Sequence, residues 1–348
     1  MKSLLIVFLL LMQILLIQAY TIGNYSKTFY DASRNRNIPT QIFYPIDQAN
    51  PSETFPYIVF GHGWLMSYSY TQVLTDNLVQ LGWIVALPTT EGGLFPSHLN
   101  FALDLAFLQG AMLTENNNPT SVLFNKIEPL AVVGGYSMSG GSAILAASDN
   151  QNFVSVITFA AAETNPSAIS AAPSVTVPTL TFSGSSDNIA PPASHQIPMY
   201  NNLSSDYKAH VTLTGATHTN VFSRSQVSLI LNPWLNYLKT GSIYYLDLFE
   251  AVLTANLNAL TYNLVNDLVV TLDPPSNLTF ELDRGMLIIA WDRLMEAHGY
   301  RIYASEHPDQ EYQDISDSGT FSVGSRMYWF QTPGESNRKF YYLTAFRN

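Results

Sequence analysis

The segment Leu130–Leu145, Leu-Ala-Val-Val-Gly-Gly-Tyr-Ser-Met-Ser-Gly-Gly-Ser-Ala-Ile-Leu, constrains this chain more than any other. An apolar run stops at paired glycines, a serine follows, and small residues open a second apolar stretch. That order predicts a buried strand, a sharp turn and a helix packed closely behind it. Gly135 stands two residues before Ser137, and Gly140 and Gly141 follow it, so a tight turn meets few Cβ atoms. Such a turn lifts the Ser137 hydroxyl out of the sheet and aims the N–H groups of the new helix at it. Ser139 also has a glycine two residues later. It stands farther from the strand and has Ser137 rather than glycine before it, so Ser137 is the preferred nucleophile.

A serine hydroxyl attacks poorly until a base takes its proton. Downstream, Thr179–Asp187 reads as a strand running into a turn that ends in a carboxylate. Val211–His218 reads as a strand whose end delivers a histidine. An unperturbed imidazole titrates near about 6.5 and is suited to general-base work. A carboxylate on its other nitrogen fixes the tautomer and stabilises the imidazolium. The triad predicted is therefore Ser137, Asp187 and His218. Glu163 is the rival acid, and His195 and His210 are the rival bases. His195 falls where a helix starts, and His210 is expected just before a strand, at the wrong edge of a parallel sheet. His62 and His98 read as loop-structuring residues. For the oxyanion, the Met138 amide follows the nucleophile, and the Trp64 amide is expected from the loop Gly61-His-Gly-Trp64. Trp64, with Tyr68 and Tyr70, either walls an apolar pocket or belongs to a surface cluster.

Around these motifs, strands alternate with helices. Tyr25–Tyr44 suits an antiparallel hairpin, Tyr57–Phe60 and Trp83–Leu87 suit short buried strands, and Thr71–Leu81 and Phe101–Leu113 have helical spacing. Val154–Phe159 adds another strand. This alternation predicts βαβ units and a mostly parallel sheet flanked by helices. From Thr240 the pattern changes. Tyr244–Asp267 is expected to form one or two amphipathic helices of undecided ownership, and Asp273–Ser276 reads as a linker. Strands follow at 277–282, 286–291, 299–304 and 340–346, a spacing that suits a small β-sandwich. The organisation expected is a leader over 1–19, an α/β domain over 20–240, a helical segment and linker over 241–272, and an all-β domain over 273–348.

Composition narrows the function further. A net charge of −11 with no basic run argues against nucleic acid as a partner. Cysteine is absent, which removes disulfides, thiolate metal sites and cysteine nucleophiles. Nothing in the pattern calls for a cofactor or metal. Lys2, the apolar run Leu4–Ile17 and the small-residue site ending at Ala19 read as a signal peptide. That run is shorter than the ~20 residues a spanning helix needs. Export is expected, with no membrane span after processing.

Gly135-Tyr-Ser-Met-Ser-Gly-Gly141 resembles the Gly-His-Ser-Met-Gly-Gly elbow of the dienelactone-hydrolase-like and cutinase-like polyester hydrolase branch of the α/β-hydrolases. Asp187-Asn-Ile-Ala-Pro-Pro-Ala-Ser-His195 is similar to that branch's acid segment, Gly215-Ala-Thr-His218 to its base segment, and Gly63-Trp64 to its oxyanion position. The likeness covers about Tyr20–Lys239. It implies an α/β-hydrolase fold and a secreted serine esterase acting on small-molecule or polymeric carboxylic esters through an acyl-enzyme. Three departures stand out. Ser139 replaces a usual glycine, true dienelactone hydrolases use a cysteine, and Ala160–Thr164 lacks the tryptophan that polyester hydrolases stack on aromatic substrate. The last places polyester cleavage behind simpler esters. A different class of reading is a catalytically silent surface-binding protein. The C-terminal sequence resembles a fibronectin type III module through Pro275–Leu278, Trp291, Tyr300–Tyr303 and Tyr341–Ala345. Contact with a cell surface or polysaccharide is one role open to it, and a passive spacer is the other.

Overall fold

The computed structural model describes residues 20–268, 272–294, 296–309, 311–316, 320–331 and 340–346. The expected leader lies outside them. The chain divides into two compact units, one running to Gly241 and including Tyr245–Leu268, the other holding the remainder.

The first unit begins with a hairpin of β1 (Thr21–Asp31) and β2 (Arg36–Ile46), paired from Thr21↔Ile46 to Asp31↔Arg36. β3 (Phe55–Gly61) is buried along its whole length, as a strand covered on both faces must be. Then come α1 (Gln72–Gln80), β4 (Ile84–Pro88), α2 (His98–Asn116), β5 (Ile127–Tyr136), α3 (Met138–Asp149) and β6 (Phe153–Phe159). A short α4 (Ala168–Ala171) leads to β7 (Thr179–Gly184), α5 (Gln196–Asn202) and β8 (Tyr207–Leu213). α6 (Ser225–Thr240), α7 (Tyr244–Ala255) and β9 (Leu260–Asn266) complete it.

The strands form a single nine-stranded sheet in the order β1-β2-β4-β3-β5-β6-β7-β8-β9. Its centre is parallel, and the outer pairs β1/β2, β2/β4 and β8/β9 are antiparallel. Val132 and Val133 on β5 and Val156 on β6 are fully shielded from solvent. Burying such side chains contributes about 1.5–3 kcal/mol each. Ala143, Ile144 and Ala146 of α3 pack in one core with Val133 and Val156, and the small alanines let the helix lie close to the strand it follows.

Two elements differ from expectation. The segment expected to be helical over Tyr244–Asp267 breaks: α7 ends at Ala255, and β9 pairs with β8 from Leu213↔Leu260 to Tyr207↔Asn266. Its ownership is settled by packing within the first unit, where Phe249 of α7 lies 5.1 Å from Trp234 of α6 and Trp234 stacks on Tyr207 at 5.3 Å. His210 lies inside β8 rather than ahead of it. Its ring is buried between Thr181 Oγ1 at 2.7 Å and Ser183 Oγ at 3.1 Å.

Burial pushes the His210 imidazole down from its ordinary 6.5 to about 4. The folded protein therefore holds it neutral while the unfolded chain still takes up the proton. Stability from this site is complete above about pH 6.5 and falls by about 3 kcal/mol as pH drops toward 4. Denaturant titrations at pH 7.5 and 4.5 are expected to show a steeper acid loss for the native chain than for His210→Gln. Equal losses would contradict it.

The described residues of the second unit form two antiparallel sheets. One has the order β10 (Thr279–Asp283), β11 (Met286–Asp292), β15 (Arg326–Gln331), β14 (Thr320–Val323). The other has the order β13 (Gln313–Asp314), β12 (Gly299–Ser305), β16 (Phe340–Phe346). Ile289, Trp291, Ile302, Met327 and Trp329 form its core, closed by the Trp291–Tyr300 ring contact at 5.1 Å. This is a small β-sandwich module. Among the described residues of both units, no helix is long and apolar enough to cross a membrane.

Candidate active site

The loops at the carboxyl ends of β5, β7 and β8 bring Ser137, Asp187 and His218 together, as parallel α/β sheets place their sites. Ser137 sits between β5 and α3 at φ 59° and ψ −119°, a region that side-chain-bearing residues rarely adopt. Strain of this kind costs about 1–3 kcal/mol and persists only where neighbours enforce it. Here the Ser137 N–H donates to Phe159 O at 2.9 Å, and its carbonyl accepts from Gly140 and Ala162 at 2.9 and 2.8 Å. A Cβ on Gly135 would overlap the Ser139 backbone, and one on Gly141 would overlap the Ala162 carbonyl, so both glycines are needed for close approach.

Ser139, the rival serine, is fully buried and turned inward. Its Oγ donates to Tyr136 O at 3.1 Å and accepts from Tyr136 N at 3.0 Å, stapling the turn. The extra side chain fits where glycine is usual because it lies against Gly61, which has no Cβ to oppose it.

His218 reaches both partners. Its Nε2 lies 2.8 Å from Ser137 Oγ and its Nδ1 lies 2.7 Å from Asp187 Oδ2. Asp187 Oδ1 accepts from the Ile189 and Ala190 amides, each at 2.9 Å, which fixes the carboxylate and leaves Oδ2 for the ring. All three side chains are buried, Ser137 at 9%, Asp187 at 3% and His218 at 4% exposure, so their mutual attraction is weakly screened by water. Nδ1 donates to the carboxylate, and Nε2 is then free to accept the serine proton. An acid–base relay to a strained serine can carry nucleophilic acyl transfer.

The rivals are occupied elsewhere. His195 Nδ1 accepts from Glu163 N at 2.9 Å, and His98 Nδ1 accepts from Asn165 N at 3.0 Å. The Glu163 carboxylate takes the Ser167 hydroxyl and the Ile169 amide at the start of α4. His62 lies between the Gly63 and Thr90 carbonyls, 2.8 and 2.9 Å from its ring nitrogens. Met138 opens α3, so its N–H is one of those that helix geometry leaves without an intrahelical carbonyl. Trp64 follows the end of β3 and is half-exposed, its indole N–H donating to Leu94 O at 3.1 Å.

Sequence reasoning missed the role of Tyr136. Its hydroxyl donates to the His218 backbone carbonyl at 3.0 Å, and its ring lies 5.3 Å from the imidazole. Tyr70 stacks on it at 5.8 Å, and Phe222 meets it edge-on at 5.1 Å. Tyr70 thus belongs to the site, whereas Tyr68 packs on Phe43 of β2. Tyr136's place beside the serine was the only available signal, and as the last residue of an apolar strand it reads as core.

The fold and this arrangement of side chains define an α/β-hydrolase. A family model described as PETase, PET hydrolase-like, matches residues 22–245, and the chain belongs to that family. It is similar to cutinase est1 of Thermobifida alba, 31% identical over 185 residues, which cover 51% of this chain and 56% of that protein. It is also similar to cutinase 1 of Thermobifida cellulosilytica and to a cutinase of Thermobifida fusca (strain YX), each 39% identical over 105 residues. Those residues cover 29% of this chain and 38% and 33% of the two proteins. The chain thus spans just over half the length of the first of these relatives and about a third of the others.

Proposed function

We propose that this chain is an exported serine esterase that cleaves carboxylic esters, those of polyesters included, through an acyl-enzyme. The observation that carries the proposal is the unbroken line Asp187–His218–Ser137, with contacts of 2.7 and 2.8 Å at a buried site. Membership of the PET hydrolase-like family and the likeness to cutinases favour ester polymers, moving them ahead of where the missing tryptophan alone would put them.

In the proposed reaction Ser137 Oγ attacks the acyl carbon while its proton passes to His218 Nε2. Asp187 holds Nδ1–H and stabilises the imidazolium that forms. The Met138 and Trp64 amides take the oxyanion of the tetrahedral intermediate, where each donor is worth about 10²–10³ in turnover. His218 then gives its proton to the leaving alcohol, and the acyl group remains on Ser137. Water, deprotonated by His218, attacks this ester in turn, releasing the acid and restoring the serine. Residues 1–19 serve as the export leader, and the C-terminal unit is read as a fibronectin type III-like module.

A chromogenic series of short and medium acyl esters, run beside polyester nanoparticles, tests the proposal. Turnover of the soluble esters is expected. Folded protein that turns over none above background would overturn it. Tyr136→Phe removes the hydrogen bond to the His218 carbonyl and is expected to lower kcat about fivefold to tenfold, the equivalent of about 1 kcal/mol. Unchanged kinetics would show that the loop is held without it.

A further inference from the structure

Beside the site, one loop carries apolar side chains that the fold itself does not use. Between β4 and α2, Leu94 is 64% exposed and Phe95 is 96% exposed. The Leu94 carbonyl accepts the Trp64 indole N–H, which joins this loop to the one that bears the proposed oxyanion amide. Trp64 and its neighbour Leu65 are themselves about half-exposed.

The exposure is imposed by a firm scaffold. Glu91, at φ 59°, accepts from Arg36 Nη2 at 2.7 Å through one oxygen and from the Ser97 amide at 2.6 Å through the other. Arg36 also clasps the buried Asp104 of α2, and the Ser97 hydroxyl accepts from Asn100 N at 3.1 Å to cap that helix. The loop is therefore pinned at both ends with its two apolar side chains in water. A side chain 96% exposed lines no concave pocket, so it gains contacts only from a body larger than the pocket.

Charge indicates what that body is. In a chain of net charge −11, no Asp, Glu, Lys or Arg occurs between Thr54 and Thr75 or between Gly92 and Leu103. An anionic bilayer or polyanion would be met by Lys and Arg, and neither segment has one. A second copy of this chain is disfavoured by size, since these few side chains fall far short of the ~800 Å² per partner that a stable dimer buries.

We propose that Leu94 and Phe95, continuous with Leu65 and Trp64, form a docking tongue that adsorbs this chain to the surface of a solid, uncharged ester polymer. The proposal rests on the ester-hydrolase reading and extends it to how an insoluble substrate is held beside Ser137. It separates adsorption, which Phe95 governs, from chemistry, which Phe95 does not touch.

The test uses the full chain carrying Ser137→Ala, so that binding is measured without hydrolysis, and aliphatic polyester nanoparticles as the probe. Adding Phe95→Ser is expected to weaken adsorption about tenfold, the low end of what burying a phenylalanine contributes. Phe95→Trp is expected to restore it. With Ser137 intact, Phe95→Ser is expected to leave kcat/KM for a soluble acetate ester within about twofold, since no reacting group contacts the side chain. Adsorption undiminished by Phe95→Ser would overturn the proposal. So would weakened binding to neutral lipid vesicles with none lost on the polymer, or a parallel fall in soluble-ester turnover. A native chain that adsorbs yet cleaves no soluble ester would sink the esterase reading alone, because the adsorption arm does not depend on hydrolysis.

Discussion

Ser137→Ala is expected to lower kcat on a soluble ester by about 10⁵- to 10⁶-fold while the protein stays folded. The change removes one oxygen from a turn whose shape is set elsewhere. The strained backbone is held by the Phe159 carbonyl and the Gly140 and Ala162 amides, and the Ser139 staple is untouched. What is lost is the atom 2.8 Å from His218 Nε2. Because the nucleophile and base act as a unit, His218→Ala should fall by a similar factor, and the double variant hardly further. Ser139→Ala supplies the contrast. It breaks the turn's staple and is expected to cost about 1–3 kcal/mol of stability through unsatisfied buried groups, with more than a tenth of the activity retained. Steady-state kinetics with thermal melts on the four variants separate these outcomes. If Ser139→Ala were the inactive one, the register of the elbow would be wrong by two residues.

Asp187→Asn is expected to lower kcat about 10⁴-fold with little change in KM. The carboxylate now accepts from His218 Nδ1–H, two backbone amides hold its other oxygen, and it is 3% exposed. An amide in its place presents N–H to the ring. The imidazole then accepts at Nδ1 and carries its proton on Nε2, facing the serine whose proton it should take. Substrate binding is spared because the residue lies behind the histidine. A fall of less than tenfold would indicate that another carboxylate serves. Glu163 is the only rival the sequence offers, and its oxygens are already committed to Ser167 and Ile169.

Much of the sheet was legible because its central strands are buried on both faces and end in turn residues. β5 and the serine turn stood out through glycines with no role in a regular strand or helix. The order of acid and base was legible for the same reason, since each follows an apolar run. Elsewhere one pattern imitated another. Leu253, Leu257, Leu260 and Leu264 recur at helical intervals, yet Asn256–Ala259 turns the chain and the last two enter β9. α6 carries Asn232, Pro233 and Asn236, which interrupt a helical pattern. Packing of Val227, Ile230, Leu231 and Trp234 on one face outweighs them. His210 was misplaced by a few residues, the usual uncertainty of a strand end, and that sufficed to turn an apparent loop histidine into a buried core group. β14 and β15 were missed although Gly324-Ser325 between alternating runs is a hairpin signal. Tyr136 shows a harder limit: its bond to the His218 carbonyl joins residues 82 apart, and only the fold brings them together.

The most direct measurement is labelling of the purified chain with a fluorophosphonate, followed by peptide mass mapping. One adduct per chain is expected, on Ser137, and none in His218→Ala. Labelling on Ser139, or folded native protein that takes no label, would contradict it.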